Sequence, residues 1–257
     1  LDAAGVRLTV DGSRADVVLD APEVRNAQTP RTWHALAQVP HLLPSDVRVI
    51  ALSATGRSFS AGLDRRMLTG EGVPGAPSLA ELAASEPDVL DRTIAEYQAA
   101  FTWWRDHDAV TIAAVQGHAV GAGFQLALAT DLLVVGDDAQ LAMREPSLGL
   151  VPDLGGTALL VAAVGYGRAL EICATGRWVH ADDAVSLGLA QLAVPSDSLA
   201  GTVDDLVAAL VATPAGAVSA TKRLLAGAPS RSREEQLAAE RGEQVERLSA
   251  MLRRMTT

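Results

Sequence analysis

The chain has 257 residues, 21 Lys plus Arg and 31 Asp plus Glu, so its formal charge of −10 argues against nonspecific nucleic-acid binding but not against an anionic ligand held by local arginines. Apolar residues make up 49% and aromatics only 4%, so alanine, valine and leucine must fill the core of one large α/β domain or a domain with an appendage. Cys173 is the only cysteine, which excludes a disulfide framework and a cysteine metal site and fits a cytoplasmic setting.

Taken in order, Val6–Val10 and Ala15–Leu19 flank Asp11-Gly12 and predict a hairpin. Thr32–Val39 reads as a helix and Val47–Leu52 as a buried strand. Residues 65–92 mix proline, glycine and polar residues and read as a loop or lid with short helical pieces. An amphipathic helix over Ile94–Arg105 carries Trp103 and Trp104, whose consecutive positions predict that they face different ways. Strands follow at Thr111–Val115, Leu132–Val135, Ala139–Ala142 and Gln191–Val194. Helices dominate from Thr157 onward, at Thr157–Val164, Arg168–Thr175, Ala181–Leu187, Asp197–Val211, Pro214–Ala226 and Glu234–Met255. Alternating strands and helices followed by helices alone predict an α/β core with a C-terminal helical region. No charged-then-apolar leader precedes the first strand, and no apolar run has membrane-spanning length.

The stretch Ile112–Asp131, IAAVQGHAVGAGFQLALATD, is the most informative. A β-type run ends at Val115, a turn carrying Gly117, Gly121 and Gly123 follows, and an apolar helical pattern starts at Phe124. Glycines at such an exit let the backbone approach a ligand, and the first helical turn leaves N–H groups unpaired. A second turn of similar character, Phe59-Ser60-Ala61-Gly62-Leu63-Asp64, follows the strand Val47–Leu52. Two exits able to aim an N–H at one oxygen suggest an oxyanion hole. Gly-x-Gly here lacks the three-glycine spacing of a dinucleotide fold.

These residues resemble the crotonase superfamily, the enoyl-CoA hydratase/isomerase family, from about Arg25-Asn26-Ala27 to Val194. The resemblance rests on Gly56-Arg57-Ser58-Phe59-Ser60-Ala61-Gly62-Leu63-Asp64, Gln116-Gly117-His118-Ala119-Val120-Gly121-Ala122-Gly123 and Ala129-Thr130-Asp131. It continues through Glu145-Pro146-Ser147-Leu148-Gly149-Leu150-Val151-Pro152-Asp153-Leu154-Gly155-Gly156-Thr157, Ala174-Thr175-Gly176-Arg177 and Ala184–Leu189. It implies a ββα spiral core over residues 1–195 carrying an acyl-CoA site, and a helical oligomerisation region over 196–257. It also implies a homotrimer or dimer of trimers, an acyl-CoA thioester as substrate, and no cofactor besides the CoA that the substrate carries.

By position in the resemblance, the oxyanion donors are the backbone N–H groups of Leu63 and Ala122. Family hydratases use two glutamates; here the second is Glu145, but Gln125 stands at the first, and an amide cannot take a proton from water at neutral pH. Isomerases of the family work with one glutamate at the Glu145 position, and dienoyl-CoA isomerases also match Asp153 but carry an aspartate where Gln125 stands. Glu145 beside an apolar pocket should have a raised pKa suited to moving a proton, with Asp153 as second proton carrier and Gln125 orienting substrate or water. The plainer alternatives are a surface or capping Glu145, an Asp153 that caps the helix near Gly155–Thr157, and a structural Gln125.

Arg25, Ala27, Ala61, Gly62, Asp64 and Lys222 are the CoA-binding candidates, with a solvated Arg25 and an ordinary surface Lys222 as alternatives. Met67, Leu68, Trp103 and Phe124 are candidates for the acyl cavity. His118 reads as structural, and five histidines without ligand spacing predict no metal site. The favoured expectation is double-bond isomerisation of an enoyl-CoA; the alternatives are hydration to a 3-hydroxyacyl-CoA and acyl-CoA binding without catalysis.

Overall fold

The hairpin closes at Gly12, whose φ of 52° lies in the left-handed region that a side chain disfavours. It joins β1 (Val6–Asp11) to β2 (Arg14–Leu19) in antiparallel register. The computed structural model describes residues 1–69 and 72–255, so residues 70 and 71 of the expected loop lie outside the described residues.

Thr29 caps α1 (Pro30–Leu42), which leads to β3 (Val49–Ala54). The expected loop then folds into a short 3-10 turn at Arg65–Leu68, α2 (Leu79–Ala83) and the start of α3 (Pro87–Asp106). After these come β4 (Val110–Val115), β5 (His118–Val120), α4 (Ala122–Ala129), β6 (Leu132–Gly136) and β7 (Gln140–Ala142). The remainder is α5 (Gly156–Val164), α6 (Tyr166–Thr175), β8 (Val179–His180), α7 (Ala181–Ser186), β9 (Leu192–Val194), α8 (Leu199–Ala212), α9 (Ala215–Gly227) and α10 (Arg233–Met255).

Six strands form a sheet in the order β1-β2-β3-β4-β6-β9, parallel from β2 onward. Both faces of its centre are covered, as parallel strands require. Ile50 and Leu52 of β3 enter the main core, whereas Val49 and Ala51 enter a second core under α8 with Leu199, Val203 and Val207. The same alternation divides β4, with Ala113 and Val115 on one side and Ile112 and Ala114 on the other. All six residues of β4 are therefore buried.

A smaller sheet, β5-β7-β8, receives the chain as it leaves the large one. The chain runs β4, β5, α4 and then β6, β7, α5; the exit from β3 does the same with a single bridge, Ser60 to Ala119, before the 3-10 turn. This repetition is the ββα spiral. β5 and β8, of three and two residues, were not expected as strands because so short a run carries no periodicity.

The two indoles of α3 depart from expectation. Trp103 and Trp104 stack with ring centroids 4.1 Å apart and an interplanar angle of 24°, because side-chain torsions overcome the angular separation of their backbone positions. Trp104 is fully buried and donates to the Ala100 carbonyl. No single helix among the described residues is long and apolar enough to cross a membrane.

Candidate active site

Backbone pairing determines where the first expected donor points. Gln28 donates its N–H to the Gly62 carbonyl (2.7 Å) and accepts from Asp64 N–H (2.8 Å). In such a parallel bridge the intervening residue turns its own polar groups to the opposite side. Leu63 N–H thus points away from Gln28 and has no acceptor among the described residues.

The second donor lies at the start of α4. Gly121 precedes it with φ 52° and ψ −118°, a conformation that only glycine adopts easily, and donates to the Ala142 carbonyl at 2.8 Å. Ala122 N–H, at the positive end of the helix, has no acceptor among the described residues. The two turns touch: a Cβ on Gly62 would collide with the Val120 carbonyl and lie 3.7 Å from Ala122 N. The geometry therefore brings together two N–H groups that have no partner among the described residues.

A carboxylate stands beside them. Glu145 begins the 3-10 turn that follows β7, and its Oε1 lies 3.2 Å from where a Gly121 Cβ would be. Gln125 Nε2 donates to Glu145 Oε1 at 2.7 Å, and Glu145 Oε2 is buried with no hydrogen-bond partner. The amide is oriented by its other end, because Gln125 Oε1 accepts from Leu154 N–H (2.9 Å) and Gly156 N–H (3.2 Å). Burial pushes the Glu145 carboxyl above the usual glutamate range, opposed by hydrogen bonds that include the one from Gln125 and reinforced by the charge of Asp153.

Asp153 does not cap α5; that place belongs to Gly155, and no side chain caps the helix. The residue has an exposed surface, yet the protein around it is dense enough that desolvation raises its carboxyl too. The Gln125 amide thus ties Glu145 to the backbone of Leu154 and Gly156 beside Asp153, whose charge reaches Glu145. In this arrangement the amide is engaged by protein groups at both ends rather than free to orient a substrate or water.

Of the CoA-binding candidates, Arg25 is exposed and its carbonyl accepts from Ala61 N–H at 2.9 Å, so the Arg25–Ala27 and Ala61–Asp64 segments lie side by side. The Asp64 carboxylate is bound to Arg66 at 2.7 Å, which holds it below the usual aspartate value. Met67 is buried and Leu68 exposed, while Phe124 is fully buried in the main core. Trp103 stacks on Trp104 and meets the His107 ring edge-on. His118 Nδ1 lies 3.3 Å from Ser58 Oγ, and its ring meets Trp178 edge-on.

Lys222 corrects the surface-lysine alternative. Its side chain is largely buried: its Nζ pairs with Asp131 at 2.7 Å and donates to the carbonyls of Trp104 (3.1 Å) and Ala109 (2.7 Å). Those contacts use all three donors. Burial pulls the ammonium below the usual lysine value, and the Asp131 charge opposes it. Lys222→Met, which leaves the Asp131 carboxylate without its cation, is expected to destabilise the fold by about 3–5 kcal/mol in denaturant titration. A loss below about 1 kcal/mol would show the pair to be dispensable.

Two residues that matter to the site were not singled out from sequence. Asn26 and Gln28 are buried; Asn26 Nδ2 donates to the carbonyls of Thr55 and Ser58, and Gln28 holds the segment that carries Leu63. The available signal was polar Arg25, Asn26 and Gln28 around Ala27, just ahead of a capped helix.

Converging N–H donors beside a buried carboxylate, on a ββα spiral, agree with the wider comparisons. The chain belongs to the enoyl-CoA hydratase/isomerase family, whose model matches residues 10–255. It is similar to a provisionally named enoyl-CoA hydratase of Thermobifida fusca solved with acetoacetyl-CoA: identity is 47%, the TM-score 0.93, and 97% of each chain is covered. The CoA complex of a provisionally named Thermobifida fusca enoyl-CoA hydratase matches at 45% identity and a TM-score of 0.93, covering 98% of this chain and 96% of the other. The carnitinyl-CoA dehydratase of Proteus mirabilis is 31% identical over 234 residues, 90% of this chain and 83% of the relative.

Proposed function

We propose that the chain isomerises an enoyl-CoA thioester, with Glu145 moving a proton between C2 and C4. Glu145 Oε2 takes a proton from C2 of a 3-enoyl-CoA, and the electron pair delocalises into the thioester oxygen. The N–H groups of Leu63 and Ala122 hold the oxygen of the dienolate as its charge develops. The protonated Glu145 then returns its proton at C4, leaving the conjugated 2-enoyl-CoA. No cofactor is required beyond the CoA carried by the substrate.

The observation that carries this reading is the fixed amide of Gln125. Its oxygen is held by two backbone N–H groups and its NH2 faces Glu145, so no second carboxylate stands there to activate water. Hydration of a 2-enoyl-CoA is the second reading, supported by the coupling of Glu145 to Asp153 and by the likeness to the dehydratase. As a further part of the proposal, the chain acts as a homotrimer or dimer of trimers in the cytoplasm. The exposed Leu237, Val245, Leu248 and Leu252 of α10 support an oligomer.

The test offers the protein a 3-enoyl-CoA and follows the conjugated thioester absorbance. The expected result is a rise in that absorbance, with solvent deuterium entering at C2 and C4. Loss of absorbance from a 2-enoyl-CoA with formation of a 3-hydroxyacyl product, and no action on the 3-enoyl-CoA, overturns isomerisation in favour of hydration. Tight acyl-CoA binding with no exchange at either carbon means a binding protein.

A further inference from the structure

Both oxyanion donors are tied to one side chain. Ser60 is fully buried. Its N–H donates to the His118 carbonyl (2.9 Å) and its carbonyl accepts from Val120 N–H (3.0 Å), which fastens it to β5, the strand that leads into Ala122. Its hydroxyl donates to the Asn26 carbonyl (2.7 Å) and accepts from Gly62 N–H (3.2 Å), the residue before Leu63, and from Gln28 Nε2 (3.1 Å). One donated and two accepted bonds complete what a hydroxyl can make. A Cβ on Gly123, next to Ala122, would lie 2.8 Å from the Ser60 Cβ and carbonyl, so the start of α4 is seated directly on this residue.

Gln28 completes the arrangement. Its backbone brackets Leu63 by bonds to Gly62 and Asp64. Its side chain, also fully buried, spans from Trp33 Nε1 (2.8 Å, to Oε1) to the Ser60 hydroxyl. Both polar atoms of this amide are thus held, Oε1 by the Trp33 indole on α1 and Nε2 by the Ser60 hydroxyl.

We infer that Ser60 and Gln28 are positioning residues that set the spacing between the Leu63 and Ala122 N–H groups, without themselves touching substrate. This rests on the proposed use of those donors as an oxyanion hole. Transition-state stabilisation of this kind depends on donors placed to within a fraction of an ångström, so a small displacement weakens catalysis more than binding. A network serving only to stabilise the fold would not make that distinction.

Acetoacetyl-CoA serves as probe, because its enolate has its own ultraviolet absorbance and reports directly on negative charge at the thioester and keto oxygens. Wild-type protein should lower the pH at which bound acetoacetyl-CoA ionises. In Ser60→Ala, and independently in Gln28→Met, that pH should return toward the value for the free compound. Turnover of the 3-enoyl-CoA should fall about tenfold or more, with KM changed less than about twofold. The thermal unfolding midpoint and acetoacetyl-CoA affinity of each variant, measured alongside, establish that it is folded. Should Ser60→Ala fail to fold, Gln28→Met decides alone.

Folded variants with wild-type enolate titration and wild-type kcat overturn the inference and leave the network purely structural. A parallel fall in kcat and affinity, with the enolate titration unchanged, overturns it as well. If wild-type protein leaves the enolate titration of bound acetoacetyl-CoA unaltered, it is the oxyanion-hole reading that fails.

Discussion

Glu145→Gln is expected to slow isomerisation, and deuterium exchange at C2 and C4, by about 10²–10⁴-fold, the usual contribution of a positioned acid–base group. The substitution is close to isosteric and keeps an oxygen for the bond from Gln125 Nε2, so the clamp and the packing against Gly121 survive. Only the ability to accept and return a proton is lost. The pH profile provides the second half of the test. The base works deprotonated, and burial raises its pKa above the usual glutamate range, so wild-type kcat/KM should fall as pH drops through that raised value. Asp153→Asn removes a charge that contributes to the raise and should move this limb to lower pH. Undiminished exchange in Glu145→Gln would remove Glu145 from the mechanism.

Ala122→Pro is expected to lower kcat by about 10²–10³-fold, equivalent to roughly 3–4 kcal/mol for one oxyanion donor. The substitution deletes an N–H that has no partner among the described residues, so no hydrogen bond among them is lost. Proline is also well suited to the first residue of a helix, and Ala122 holds that place in α4. Ala122→Gly, which keeps the N–H, should retain most activity and controls for the altered side chain. Circular dichroism and the unfolding midpoint check that the proline variant folds. Turnover within a few-fold of wild type in that variant would take Ala122 out of the oxyanion hole.

Much of this site was legible in sequence because its parts are local. The glycine turn before Ala122 comes soon after the apolar run of β4 and is read from that pattern, whereas Glu145, just past β7, is placed by its position in the family resemblance. Interactions that join distant segments were not legible. Nothing near Lys222 announces that Asp131 and the carbonyls of Trp104 and Ala109 await its ammonium. Nor does the composition of Asn26 to Ser60 show that the Gln28 amide meets the Ser60 hydroxyl. The stacking of Trp103 on Trp104 escaped for a different reason: backbone periodicity predicts where a side chain starts, while rotamers decide where the ring ends. The short strands β5 and β8 are held by their neighbours rather than by their own sequence.

The two backbone N–H groups of Leu154 and Gly156 that hold the Gln125 oxygen carry an evolutionary implication. Such a pair at a helix start suits a negatively charged oxygen better than a neutral one. Replacing the NH2 of residue 125 by oxygen would leave that cradle occupied and set a second carboxylate against Glu145. Two carboxylates at such a distance cannot both ionise and so would share a proton. Glutamine and glutamate codons differ by a single base. One mutational step therefore separates a neutral strut from half of an acid pair, and descendants of this scaffold could exchange one thioester chemistry for another without rebuilding the fold around it.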